Sequence, residues 1–417
     1  MKIAIKNGFL IDGTGAERQV NSIILIEDTK IVDIILGKNN SGKEIDITPD
    51  TLIIDASGKT ILPGLIDAHL HLLGIRSMNP VQWTLDTSAL KAVRAVADVK
   101  KLIEAGFTSV RCAGSEVSVY LKKAIDEGTI QGPRIIAAHK VITQTGGHGD
   151  THELPLGWVL RANTFWRMAD GVDECRRAAR EQIREGAGVI KICTTGGVLS
   201  EKDSPTQAQF VDEEITAMTT EAHRVGIKVM AHAQSPEGIQ NAIRNGVDTI
   251  EHGIYLDDET IQMMLASNTI VVPTFAIVNA LVTKGREAAV PEYGLIKAKT
   301  AHKEHIKSIT LAHKAGVKIA LGTDFCGPDI IPHGENAVEL EIFVNQIGMT
   351  PMEAIKSATK IGAEALGIEK SIGTLEKGKI ADLLIIDGNP LEDIATLQNK
   401  DDILVVMKNG QIIVDRR

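Results

Sequence analysis

From about residue 61 to about residue 365 the chain repeats one alternation: a short run rich in β-branched residues, then a longer stretch with apolar positions at helical spacing. The runs at 61–67, 107–112, 134–138, 188–193, 228–232, 248–252, 269–273 and 317–321 predict strands. The helical spacing predicts helices over 85–105, 172–185, 212–225, 236–245, 257–266, 296–315, 337–345 and 351–366. Gly106, Gly186, Gly226, Gly246 and Gly316 stand between helix and strand, where a left-handed C-cap is expected. Strand alternating with helix predicts a parallel sheet with crossover connections, and eight such strands is the number of a TIM barrel. The long connection 139–170 after the third strand is expected to be functional, because compact barrels rarely carry idle loops of that length.

The two ends read differently. Short β-rich runs at 3–5, 22–26, 31–35 and 52–55 are separated by Gly, Asn and Asp, and similar runs return at 381–387, 403–408 and 411–414. Met407-Lys-Asn-Gly-Gln-Ile-Ile-Val-Asp echoes Ile5-Lys-Asn-Gly-Phe-Leu-Ile-Asp. Neither end holds enough apolar surface for a domain alone, so together they are expected to build one small β-sandwich. The expected fold class is therefore α/β: a (β/α)8 barrel over 59–368, inserted in a β-sandwich made from 1–58 and 369–417.

Composition narrows the partners. The 417 residues are 43% hydrophobic and 24% charged, as in an ordinary globular protein long enough for a barrel plus an accessory domain. A net charge of -9, no basic run and 3% aromatic residues give no footprint for nucleic acid or an anionic membrane. No apolar run of roughly 18 residues suggests a membrane span. The first twelve residues read as strand and turn rather than a signal peptide. Cys112, Cys175, Cys193 and Cys326 are scattered without Cys-x-x-Cys spacing, which suits reduced thiols. The expectation is a cytoplasmic homo-oligomer acting on a small molecule.

The candidate chemistry lies at the strand ends. Residues 61–73 close on His69 and His71, and side chains two apart on a strand share one face, about 7 Å apart at the Cα. Alone, the pair could be two satisfied polar residues. Further groups sit at corresponding ends: Lys191 in Val-Ile-Lys-Ile-Cys, His232 in Val-Met-Ala-His-Ala, His252 in Ile-Glu-His-Gly and Asp324 in Leu-Gly-Thr-Asp. Barrel active sites gather at the carboxyl ends of strands, so four imidazoles, an amine and a carboxylate would meet at one mouth. A lysine inside an apolar strand is pushed toward its neutral amine. That amine can react with carbon dioxide, and the carbamate is an anionic bridge for two divalent metals.

Pro63-Gly-Leu-Ile-Asp-Ala-His-Leu-His, the strand lysine, the two later histidines and Gly-Thr-Asp324 resemble the amidohydrolase superfamily of metal-dependent hydrolases. So does the closing Gly373-Thr-Leu-Glu-Lys-Gly-Lys-Ile-Ala-Asp-Leu-Leu-Ile-Ile-Asp-Gly-Asn-Pro. Lys191 is similar to the two-metal branch. Thr145-Gly-Gly-His-Gly-Asp150 and Lys191-Ile-Cys-Thr-Thr-Gly-Gly-Val-Leu-Ser200 resemble the prolidase-like subgroup of microbial dipeptidases and carboxypeptidases. That subgroup cleaves Xaa-Pro, Xaa-Arg or Xaa-Lys dipeptides and N-acyl amino acids, and includes ochratoxin-hydrolysing relatives.

The resemblance implies two zinc ions held by His69, His71, Lys191, His232, His252 and Asp324, with carboxylated Lys191 as the bridge. The expected reaction is amide hydrolysis by a metal-activated water, with Asp324 moving its proton to the leaving amine. His148 would hydrogen-bond the oxyanion or a substrate carboxylate, and Gly197, Val198 and Ser200 would offer backbone N–H groups. Gln234 stands where some relatives carry tyrosine or histidine, and with Tyr255 and His333 completes the expected substrate-binding set. Among the other histidines, His139, His152, His302, His305 and His313 are expected on the surface or on helices. A ring-opening amidohydrolase of the hydantoinase or imidazolonepropionase kind is the alternative enzyme, and a non-catalytic barrel scaffold the alternative outside enzymes.

Overall fold

The structure, a computed structural model, describes all residues except 38–47, 163 and 289. The terminal runs pair into one eight-stranded sheet. Its order is Gln411–Asp415, Ile403–Lys408, Leu383–Ile386, Thr60–Pro63, Lys2–Leu10, Gln19–Glu27 and Lys30–Ile35, with Leu52–Asp55 also pairing Lys2–Leu10. The alternation along these strands sorts two faces. Ile3, Ile5, Ile24, Ile26, Leu383, Ile385, Val405 and Met407 cluster together, while Leu62, Leu384, Ile386 and Val406 turn the other way into the main core. Antiparallel pairing of Leu383–Ile386 with Thr60–Pro63 is what joins the two chain ends.

The expected strand 61–67 is thus two strands. Thr60–Pro63 belongs to the terminal sheet, and the chain changes partner at Gly64, whose N–H still donates to Asp382 (3.0 Å). Leu65 N already bonds Gly106 O (3.0 Å) in the parallel layer. Gly64 is pressed against Thr108, and a Cβ there would lie 2.2 Å from its Oγ1.

The middle of the chain forms parallel strands with helices between them. One sheet orders Leu65–Leu70, Phe107–Cys112 and Arg134–Ala137; the other orders Trp166–Met168, Val141–Thr143, Val189–Cys193, Lys228–Ala233, Thr249–His252 and Ile270–Val272. Backbone hydrogen bonds close one seam between them directly and the other through residues 317–321. Gly188 N donates to Ala137 O (2.8 Å), and Ala68 N donates to Leu321 O (2.8 Å). The expected strand 317–321 carries only a parallel bridge between Val271 and Ile319. Leu321 N turns away to Ser357 O, so the ladder does not continue.

The connection 139–170 is not structureless: Val141–Thr143 and Trp166–Met168 pair within it, and Ile142 pairs Ile192. Gly106, Gly186, Gly226, Gly246 and Gly316 all have positive φ, as their places after helices predict. The expected helix 351–366 is interrupted at Thr359, and the expected helix 337–345 is a short α-helix running into a π-turn at Phe343–Ile347. Among the described residues, the pattern missed the helices Ser118–Asp126 and the mainly apolar Phe275–Lys284, and the short turns of helix at Pro80–Leu85 and Leu156–Val159. Among the described residues, no helix is long and apolar enough to cross a membrane.

Alternation also decides what points inward. On Val189–Cys193, Ile190 and Ile192 pack into the main core, leaving Lys191 and Cys193 on the opposite face. On the neighbouring strand Val229 and Ala231 do the same, and His232 shares the face of Cys193, its register partner. Replacing Gly64 by alanine is expected to cost on the order of 1–3 kcal/mol through overpacking against Thr108. Thermal or urea unfolding would show it, and an unchanged midpoint would mean that the change of partner at Gly64 has slack.

Candidate active site

His69, His71, Lys191, His232, His252 and Asp324 all line one cavity, with His148 in its wall. Ligand atoms of His69, His71 and Asp324 lie within 4.8 Å of one another. Asp324 Oδ1 is 3.4 Å from His69 Nε2 and 3.1 Å from His71 Nε2. The rings of His69 and His252 are 5.1 Å apart, and those of His252 and His232 4.5 Å. Lys191 is 3% exposed and makes no hydrogen bond or ion pair among the described residues.

The outer nitrogen of each ring is already engaged. His69 Nδ1 meets Glu251 Oε2 at 2.5 Å, His71 Nδ1 donates to Gly114 O at 2.8 Å, and His252 Nδ1 meets Thr274 Oγ1 at 2.7 Å. His232 is reversed: its Nε2 donates to Gly196 O at 3.0 Å. A ring whose proton is fixed outward keeps the other nitrogen's lone pair free, which is how metal-binding histidines are held. Three cavity-facing Nε2 atoms, those of His69 and His71 beside Asp324, with one Nδ1, an amine and a carboxylate, are a donor set that fits divalent metal.

The electrostatics of the cavity agree with those roles. Burial holds His232 and His252 well below the usual imidazole range, and pushes the Lys191 amine down. Burial alone would raise Asp324, but His69 and His71 beside it hold its carboxyl well below the usual range. Glu251 would likewise be raised by burial; Arg111 and His69 bring it to about 2. Arg111 is fully buried, donating to Glu251 (2.8 Å), Thr249 Oγ1 (3.0 Å) and Ala68 O (2.6 Å).

The backbone at the site is bent to present these groups. His252, Thr274 and Asp324 have φ of 74°, 60° and 58°, uncommon for residues with a Cβ and hardest for β-branched threonine. Each is tied down. His305 Nε2 donates to His252 O (2.9 Å), and Glu339 accepts from Phe275 N (2.8 Å) and Ala276 N (2.7 Å) just after Thr274. Asp67 accepts from His69 N (3.0 Å), Thr323 Oγ1 (2.7 Å) and Asn336 Nδ2 (2.7 Å), locking the loop that carries Asp324 to the strand that carries His69.

His148 stacks on His232 with ring centroids 4.0 Å apart. Its Nδ1 is 2.9 Å from Ser200 Oγ, which in turn donates to Asp203. Burial pulls the ring down to about 4, against the pull of Asp203. Gly197 is required by closeness, since a Cβ there would lie 2.1 Å from His148. Lys297 closes this loop from behind, donating to the carbonyls of Gly197 (3.2 Å), Ser200 (2.6 Å) and Asp203 (2.5 Å).

The remaining expected substrate-binding residues divide. Val198 and Gln234 line a side lobe of the cavity together with His148, and Ser200 reaches the site through His148. The Gly197 N–H donates to Asp203 (3.3 Å) and that of Gly196 to Gln207 O (3.0 Å), so neither is free. Tyr255 and His333 are not among the lining residues: Tyr255 N bonds Gln234 O (2.9 Å), and His333 Nε2 donates to His71 O (3.1 Å). His305, expected on the surface or a helix, is on a helix and fully buried. Sequence reasoning passed over Arg111, Asp203, Glu251, Thr274, Lys297 and Glu339. Arg111 and Glu251 carried a signal, a charge inside an apolar strand, the same one that marks Lys191.

Parallel strands with intervening helices, and ligand-type side chains gathered into one cavity where the strands end, define an enzyme site of α/β architecture. The chain belongs to the amidohydrolase family, which it matches over residues 60–413, and it is a hydrolase acting on C–N bonds. It is 36% identical to ochratoxinase of Aspergillus niger over 426 aligned positions, covering 97% of this chain and 85% of that protein. A solved prolidase complexed with N-methylphosphonate-L-proline superposes with a TM-score of 0.91 at 32% identity, over the whole of both chains. A Xaa-Pro dipeptidase with methionine bound in its active site gives 0.87 at 34%, over 99% of this chain and all of that one.

Ionised Glu251 stabilises the fold while it stays charged. With its folded value depressed to about 2, that stability is complete above the unfolded value of 4.5 and is lost as pH falls through 2. Urea unfolding followed from about pH 5 downward should show a steep acid limb, of a few kcal/mol, that Glu251→Gln flattens. Parallel limbs for the two proteins would place the acid sensitivity elsewhere.

Proposed function

We propose that this protein is a two-zinc amidohydrolase that cleaves the amide or peptide bond of small carboxylated substrates, dipeptides or N-acyl amino acids. The reading is carried by one observation: six side chains of metal-binding type reach one cavity, and every histidine among them has its other ring nitrogen already bonded. The two parallel sheets, hydrogen-bonded directly across one seam and through residues 317–321 across the other, are read as one (β/α)8 barrel over 59–368, and the terminal strands as its β-sandwich companion. Four buried free cysteines fit a cytoplasmic protein.

His69, His71, His232, His252 and Asp324 would hold the two metals, with Lys191 as its carbamate between them. The depressed basicity of Lys191 supports carbamate formation, because only the neutral amine adds carbon dioxide. Once bound, divalent zinc supplies Lewis acidity and makes water acidic enough to attack near neutral pH. Asp324, kept ionised between His69 and His71, accepts the proton of the attacking water and delivers it to the leaving nitrogen. His148, braced by Ser200 and Asp203, orients the carbonyl or the free carboxylate from the opposite wall. Trp83, Phe165 and Trp166 exclude water from one side of the reacting bond.

Zinc-loaded protein should contain about two metals per chain and hydrolyse members of a dipeptide and N-acyl amino acid panel, with cyclic imides turned over poorly. Lys191→Ala should lower the metal content to one or none and the activity by at least about a hundredfold. Full metal content and activity in Lys191→Ala would remove the carbamate bridge from the reading. Removing the braces of His148 by Asp203→Ala should lower kcat more than it raises KM; a pure KM effect would assign His148 to ground-state binding alone.

A further inference from the structure

The cavity has a side lobe whose wall is aliphatic: Val198, Leu199, Ile254, Ile277, Val278 and Leu281. Where it joins the metal-ligand cluster it is bounded by His148, His232, His252, Asp324 and Gln234. Beyond the cluster itself, no lysine, arginine, aspartate or glutamate lines it among the described residues. An arm carrying a full charge would have to be desolvated here with nothing to pair it. The lobe suits a neutral aliphatic group.

Gln234 is the exception in this wall. Its backbone is fixed on both sides, N to Thr195 Oγ1 (3.1 Å) and O to Tyr255 N (2.9 Å), so the side chain cannot easily be withdrawn. The residue is 3% exposed, yet its Oε1 has no hydrogen-bond partner among the described residues. A buried acceptor of this kind is satisfied by water in the free protein and must be satisfied by the occupant once water is displaced. In a small amide with an aliphatic arm, the donor available at the junction of arm and reacting centre is the amide N–H.

We infer that Gln234 and the aliphatic lobe form a specificity subsite for secondary amides: one arm a neutral aliphatic side chain, the amide N–H donated to Gln234 Oε1. The inference rests on the amidohydrolase reading of the same cavity and narrows it. A prolyl amide has no N–H and would strand the Gln234 oxygen. This chain is therefore expected to disfavour Xaa-Pro, in contrast to the Xaa-Pro dipeptidase and prolidase it superposes on.

The sharpest probe changes the substrate by one group. Zinc-loaded wild-type protein is assayed on alanyl-leucine, alanyl-N-methyl-leucine, alanyl-proline, alanyl-arginine and alanyl-glutamate. The expected kcat/KM for alanyl-leucine exceeds each of the others by at least about tenfold. In Gln234→Met, which keeps the volume and removes the acceptor, the ratio of leucine to N-methyl-leucine should fall toward one. Binding of the same pair to Asp324→Asn, read by calorimetry, gives a second readout without turnover, with the N-methyl dipeptide expected to bind about tenfold more weakly. Equal treatment of the pair by wild-type protein, or an unchanged ratio in Gln234→Met, overturns the subsite while leaving the hydrolase reading intact. Discrimination in binding without cleavage of any amide overturns the hydrolase reading and leaves the subsite standing.

Discussion

The site depends on one shared carboxylate. Glu251 accepts from Arg111 on one oxygen and meets His69 on the other, with all three side chains out of contact with water. Removing Arg111 would leave a buried charge uncompensated, a loss worth roughly 3–5 kcal/mol in comparable pairs. The same carboxylate fixes which nitrogen of His69 carries the proton, and so which one faces the cavity. Arg111 extends the arrangement to the carbonyl of Ala68, the residue beside His69, and to Ala365 O (3.2 Å) on a helix after the last parallel segment. Stability and ligand geometry are here properties of the same four atoms.

A second constraint acts at the mouth. Residues that must point into the cavity from the last turn of a strand take backbone shapes that are unfavourable for side chains with a Cβ, and the neighbouring groups hold them there. The His305 imidazole on the carbonyl of His252, the Glu339 carboxylate on the amides after Thr274, and the Asp67 network beneath Thr323 each use a buried polar side chain to hold the backbone in place. Burial raises Glu339 well above the usual carboxylate range.

The cavity walls are built from different parts of the chain with different chemistry. The connection after Arg134–Ala137 brings Phe165 and Trp166, which pack with Trp83 at centroid distances of 5.8 and 4.2 Å around Phe165. The opposite lobe is aliphatic and comes from the 197–203 loop and the Phe275–Lys284 helix. Lys297 and Asp203 stiffen the first of these, so the wall facing His148 is set by charge pairing rather than by packing. Two apolar walls flanking a polar centre are suited to an amide with two dissimilar arms.

Local pattern carried the strand and helix order, the glycines after helices, and the six ligand-type side chains, because each is written in a few consecutive residues: alternation, a C-cap, a histidine or lysine in an apolar run. Val198, Ser200 and Gln234 were placed near the site by the family resemblance of the segments that follow Lys191 and His232. The division of 61–67 was not legible, since Gly64 changes partner only because Asp382 and Gly106 arrive from elsewhere. Nor were the groups that orient the ligands. Glu251 reaches His69 across 182 residues and Arg111 across 140, so their meeting is set by strand register and the inward face of each strand, which no short stretch of sequence encodes. Sequence alone determined which residues can bind and bend; tertiary structure decided which nitrogen, oxygen or N–H of each remains free, because that depends on what the distant chain has already satisfied.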